Sequence, residues 1–95
     1  MNTFPLEILT PEKPFFKENV DSVVVKGYEG FLGILAHHAP LLARLSAGSI
    51  RIKKDNVEQA FTAGAGLVEI TSAGVSILVD SAEAARGEQA GKTAE

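Results

Sequence analysis

The sequence predicts an all-β domain, a sandwich or barrel of short strands. Two observations point there: apolar residues recur mostly at every second position, and the runs they form are short and punctuated by Gly, Pro, Asp or Asn. A third is that helical patterning is confined to the last stretch of the chain.

In the first run Phe4, Leu6 and Ile8 alternate with Pro5 and Glu7, and Pro11 stops it. The segment 20–25 is β-branched at four of six positions. Its alternation sets Val20, Ser22 and Val24 against Asp21, Val23 and Val25, as in a strand largely covered on both faces. Gly27 ends that strand. Residues 49–53, with Ile50 and Ile52 inward, are followed by Lys54, Asp55 and Asn56 and then by 57–62, which together read as a hairpin. A second hairpin joins 67–71 to 75–79 through Ser72, Ala73 and Gly74, the glycine suiting a turn position with positive φ. Near the end, Asp80 stands three residues before Glu83, a capping-box spacing with Asp in place of Ser or Thr. Ala82, Ala84, Ala85 and Arg86 favour a helical turn there, and Gly87 breaks it. From 81 to 95 the only hydrophobic residues are five alanines. The expected organisation is therefore one domain over 1–85 and a polar, disordered tail over 86–95.

The 95 residues suit a single core, and 45% hydrophobic with 22% charged residues is an ordinary globular balance. A net charge of -3 with scattered Lys and Arg gives no electrostatic footprint for nucleic acid or anionic lipid. The absence of cysteine excludes disulfides, thiolate nucleophiles and cysteine zinc sites. No stretch approaches the roughly 20 apolar residues of a membrane helix, and residues 1–20 do not read as a signal or transit peptide. The chain is expected to stay where it is made, in a bacterial cytoplasm or its equivalent.

Chemistry-bearing motifs are sparse. His37 and His38 are adjacent, so on an extended strand they point to opposite faces, and no acid follows until Asp55. Glycines 27, 30 and 33, and the pair Gly64 and Gly66, neither open a helix after a strand nor precede the Lys and Ser/Thr of a phosphate loop. None of the six serines sits in a GxSxG elbow. An enzyme with its own active site is not expected, and neither is a cofactor.

The segment 29–45, EGFLGILAHHAPLLARL, stands apart by gathering Phe31, Leu32, Ile34, Leu35, Leu41, Leu42 and Leu45 around Gly33 and the Ala39–Pro40 step. Pro40 biases Ala39 away from helical geometry, so the segment reads as strand, corner, strand. It serves as a core crossover between sheets, as a docking surface at the corner, or as both. Phe31 is open to either use.

This segment resembles the signature of the ε subunits of F-type ATP synthases, a family that includes the mitochondrial δ subunit. Matching positions are Glu29, Gly30, Leu32 to Leu35, and His38 to Leu42, followed by Gly48, Ile50, Ile52, then 64–70, 75–80 and Ala82–Glu83. The resemblance covers about residues 3–85 and includes the opening FPLEILTPEKPFFKENVDSVVV. Two places depart or stay open: the family's Pro-Gly before the histidine is Ala36–His37 here, and the Gly64 to Gly66 register is open by one residue.

The resemblance implies a ten-stranded, two-sheet β-sandwich, or flattened barrel, ending in a short helical turn. It implies a non-catalytic rotor subunit of the central stalk that couples proton or sodium flow to ATP synthesis. Such a subunit docks on the γ subunit and on the polar loops of the c-ring, at the cytoplasmic face of the membrane and without inserting into it. By resemblance, Glu29, Gly30, Phe31 and Leu32 face the ring, and His38, Ala39, Pro40 and Leu42 face γ. Many bacterial relatives carry a helical hairpin after this domain that binds ATP in some species. The polar tail has no residues to pack one, so a short form without nucleotide binding is expected. Two rivals keep separate signatures: a free-standing β-sandwich binding or carrier module, for which Lys54 is the candidate attachment site, and a metal-dependent barrel enzyme using His37 or His38.

Overall fold

The computed structural model describes residues 2–84, to which every structural statement below refers. They form nine strands and no helix: β1 (Phe4–Leu9), β2 (Pro14–Val20), β3 (Ser22–Gly27), β4 (Gly30–Leu35), β5 (Leu41–Lys54), β6 (Val57–Ala63), β7 (Gly66–Thr71), β8 (Gly74–Val79) and β9 (Ala82–Ala84). The all-β expectation is met, with nine strands among the described residues where ten were expected.

One hydrogen-bonded path runs β2-β1-β8-β7-β5-β3-β4, and β6 and β9 branch from β5. All neighbours are antiparallel except β1 and β8. The 14-residue β5 joins the layers. Fully extended at about 3.3 Å per residue it would reach roughly 45 Å, beyond the 37 Å longest dimension of the molecule. It therefore bends: Leu41 to Leu45 pair with β7, whereas Gly48 to Lys54 pair with β6. Across β3 the register shifts at the same place, between the Val25–Ile50 and Gly27–Leu45 pairs. The sheet thus curls into two facing layers around Leu6, Ile8, Val20, Val23, Val25, Ile34, Ile52, Val68 and Ile77, each essentially inaccessible to solvent. Burial of these aliphatic side chains, at about 25 cal/mol per Å² of apolar surface, is the main stabilising term.

Both sequence-read hairpins form. Asp55 and Asn56, with φ of 54° and 65°, make a two-residue turn between Lys54 and Val57, whose consecutive positive φ values match the twist of the flanking strands. Gly74 closes the other hairpin with φ 142°. The Gly64 to Gly66 register is resolved as well. Gly66 is the first residue of β7 opposite Val79, where a β-carbon would fall on the Leu78 backbone carbonyl.

Three readings are corrected. Residues 20–25 are not one strand: Val20 ends β2, and the chain breaks at Asp21. There the Asp21 amide donates to the Lys53 carbonyl and the Asp21 carboxylate accepts from the Asp55 amide. Val20 therefore shares the core with Val23 and Val25 instead of opposing them. A separate strand at 14–20 went unread because its alternation is weak, only Val20 being fully buried. Finally, residues 82–84 are strand, not helix: Ala82, Glu83 and Ala84 pair with Ala63, Thr62 and Phe61. Bonds from the Gly64 amide to the Ser81 carbonyl and from the Asp80 amide to the Ala65 carbonyl steer the chain there. An open edge on β6 overrides the modest helix preference of alanine. The remainder of the expected helical turn and the tail over 86–95 lie outside the described residues.

Candidate docking surface

The residues singled out by sequence fall into two neighbouring groups around β4 and the start of β5. The first lies at the β3–β4 tip. Gly27 pairs with Gly30 across the turn Tyr28–Glu29, and Gly30 takes φ 127°, a conformation side chains resist. On β4 the two-residue period buries Ile34, half-buries Leu32 and turns Phe31, Gly33 and Leu35 to solvent, so Phe31 is 69% exposed and Leu35 64%. Phe31 is therefore a surface residue and not part of the core.

Beyond the end of β3, the first residues of β5 flank this tip and create a shallow depression of about 580 Å³. Leu42, 66% exposed, lines it together with Phe31, Leu32 and Glu29. Above it the Arg44 guanidinium sits 4.9 Å from the centroid of the Tyr28 ring. A cation over an aromatic face is attractive, worth about 0.5–1 kcal/mol at an exposed site. Here it also holds two long side chains in place.

The second group is the corner after β4. His37 takes the left-handed conformation, φ 67°, at the position where the resembled family carries glycine. His38 is half-buried, and its Nδ1–H donates to the Ala39 carbonyl at 2.8 Å. Pro40, with Leu35 and both histidines, borders a second depression of about 410 Å³ against Phe4, Pro5 and the β7–β8 turn. Ala39 is exposed.

The fold thus brings Glu29, Gly30, Phe31 and Leu32 together, brings His38 and Pro40 together, and places Leu42 with the Phe31 group although it is closer in sequence to His38. The cause is strand alternation: Leu41 turns inward against the core and Leu42 turns out. Sequence reading missed Tyr28 and Arg44, and missed the outward row Arg44, Leu67 and Leu78, which are cross-strand partners on β5, β7 and β8. The signal was available, since Arg44 follows Leu42 by two residues and shares its face.

Aromatic residues and arginine, here Tyr28, Phe31 and Arg44, are residue types enriched at protein interfaces. Among the described residues no polar or charged side chain is buried, and no three His, Asp or Glu side chains gather as metal ligands. Lys54 ends β5 rather than occupying the hairpin tip, and its ammonium lies 2.8 Å from the Glu18 carboxylate. That bond raises its pKa above the ordinary lysine value.

Residues 3–85 match the family model described as the β-sandwich domain of the ATP synthase delta/epsilon chain. The chain is 39% identical over 83 residues to the ATP synthase epsilon chain of Caldicellulosiruptor bescii, covering 87% of this chain and 61% of that protein. It is 38% identical over 82 residues to the sodium ion specific ATP synthase epsilon chain of Propionigenium modestum, covering 86% and 60%. It spans about three-fifths of the length of these curated relatives. Among solved structures, a chain of the Euglena gracilis mitochondrial ATP synthase OSCP/F1/c-ring assembly superimposes with TM-score 0.83 at 18% identity, covering 98% of this chain and 62% of that one. A chain of the Tetrahymena thermophila mitochondrial ATP synthase central stalk and c-ring gives TM-score 0.74 at 20% identity, covering 85% and 66%. At these identities the structures establish a shared fold.

Proposed function

The chain belongs to the ATP synthase delta/epsilon chain β-sandwich family, and on that premise we propose that it is a non-catalytic rotor component of an F-type ATP synthase. In this reading the domain docks on the γ subunit and on the polar loops of the c-ring, at the cytoplasmic face of the membrane, and passes torque between them. Its densely packed aliphatic interior suits that task, because close-packed protein interiors are only slightly compressible. Catalysis belongs to other subunits, and the domain itself needs no nucleotide.

Glu29, Gly30, Phe31 and Leu32 meet the ring loops, and His38, Ala39, Pro40 and Leu42 meet γ. The observation that carries the reading is the pair of large apolar side chains, Phe31 and Leu42, both about two-thirds exposed on one depression beside Arg44. Because Leu42 lies on the Phe31 side of the corner, it stands where the two partner surfaces adjoin. The test is co-purification of the chain with γ and the c-ring, comparing wild type with F31D/H38D. Loss of capture with unchanged circular dichroism supports the assignment, and equal capture removes it.

A further inference from the structure

The free edge of β4 is unlike the other strand edges of the molecule. The edge strand β2 is guarded by Pro14, Lys17, Glu18 and Asn19, all exposed; the unpaired half of β6 carries Glu58; and β9 is three residues long. Proline, charge and shortness are the usual protections against edge-to-edge pairing. By contrast, β4 reads GFLGIL, with no charge, no proline and no irregularity in its register with β3.

The direction of its backbone groups follows from the hairpin. Gly27 and Gly30 close a two-residue turn, and such a closing pair exchanges both backbone bonds. Bonded and non-bonded pairs then alternate along an antiparallel ladder. Leu32 and Ile34 thus bond to β3, while the N–H and C=O groups of Phe31, Gly33 and Leu35 point away from it. The residues with solvent-facing side chains are also those with unpaired backbone groups.

We propose that this edge pairs with a second copy of the same chain, β4 running antiparallel to β4 about a twofold axis at Gly33. Residues equidistant from the axis then stand opposite each other, so Phe31 of each copy faces Leu35 of the other and Gly33 faces Gly33. The Phe31–Leu35 and Gly33–Gly33 pairs are of the bonded type, because all three residues present free donors and acceptors, and the Leu32–Ile34 pairs between them are non-bonded. On the outer face the two Phe–Leu pairs are apolar cross-strand contacts, and no like charges meet within the strand. A β-carbon at Gly33 would meet nothing within 4 Å, so the sheet face at the axis is open. A single strand edge covers less than the roughly 1,000 Å² of a permanent interface, so the dimer is reversible and concentration-dependent. Pairing would cover Phe31, and on the function proposed above it competes with docking to the ring.

Sedimentation velocity on the full 95-residue chain, over about a hundredfold concentration range reaching roughly millimolar, tests the pairing independently of γ and the ring. The wild type is expected to rise toward twice the monomer mass. F31E/L35E sets carboxylates opposite each other and should stay monomeric, whereas F31E/L35K sets Glu opposite Lys and should recover the dimer. Both substituted positions are exposed, and circular dichroism checks that each variant folds. A wild type that stays monomeric throughout overturns the proposal. So does a dimer that survives F31E/L35E, or one that F31E/L35K fails to recover.

Discussion

The carboxylate of Asp21 accepts a hydrogen bond of 2.9 Å from the backbone amide of Asp55, thirty-four positions away. This bond ties the break between β2 and β3 to the tip of the β5–β6 hairpin. Beside it the Asp21 amide donates to the Lys53 carbonyl and Lys54 pairs with Glu18, so one end of the curled sheet is closed by polar contacts. Deeper in, Phe61 closes the same seam, its ring 5.0 Å from Phe15 and 5.7 Å from Phe16.

Removing the Asp21 carboxylate leaves the Asp55 amide to water. Asp21→Ala is expected to lower unfolding stability by about 1.5 kcal/mol, the low end of the range for a bond with one charged partner because this bond is exposed. Asp21→Asn keeps an acceptor and should lose less. Urea denaturation of the two variants decides, and equal losses would refute the hydrogen-bond account.

His37 holds φ 67°, a conformation that costs a side-chain-bearing residue roughly 1 kcal/mol and glycine little. Part of the gain from glycine is offset by the greater freedom of the unfolded chain. His37→Gly should therefore raise stability by about 0.5 kcal/mol, and His37→Val should lower it by roughly 2 kcal/mol, since β-branched residues tolerate this region worst. Thermal melts of the pair give opposite shifts if the backbone is responsible.

Gly64 and Gly66 are predicted to differ. A β-carbon at Gly66 meets the Leu78 carbonyl, which β-pairing holds in place, whereas at Gly64 the first obstacle is the Asp80 carboxylate, at the end of a side chain that can rotate. Gly66→Ala should cost about 3 kcal/mol and Gly64→Ala about 1 kcal/mol, by analogy with overpacked sites that can or cannot relax. Denaturation midpoints measure the order, and the reverse order would contradict this arrangement.

Lys54 has its pKa raised above 10.5, first by its bond to Glu18. A group whose folded pKa lies above its unfolded value adds stability that is complete below the unfolded value and disappears as pH rises through the folded one. The melting-temperature difference between wild type and Lys54→Met should therefore be constant from about pH 7 to about pH 9 and shrink toward zero near about pH 12. A difference that persists there would assign the effect to packing of the lysine stem.

Much of the fold is legible locally. Alternation at Phe4, Leu6 and Ile8 and at Ile50 and Ile52 marks core-facing residues because side chains of a strand alternate whatever it pairs with. The turns at Asp55–Asn56 and at Gly74 are legible because positive φ restricts residue type. The candidate site was less so. The tip residues were named, yet Leu42 was grouped with His38 on the resemblance, and Arg44 went unread because its partner Tyr28 lies across a strand boundary.

By itself the sequence determined the all-β class, the hairpins and the resemblance of its 29–45 segment, since each rests on the period of a strand, the chemistry of a turn or an ordered motif. Only the tertiary structure decided that residues 82–84 pair with β6 instead of coiling, that Asp21 divides two strands, and that Leu42 joins Phe31. Those outcomes depend on which distant backbone edge or surface is left open, a property of the assembled sheet that no local window of residues contains.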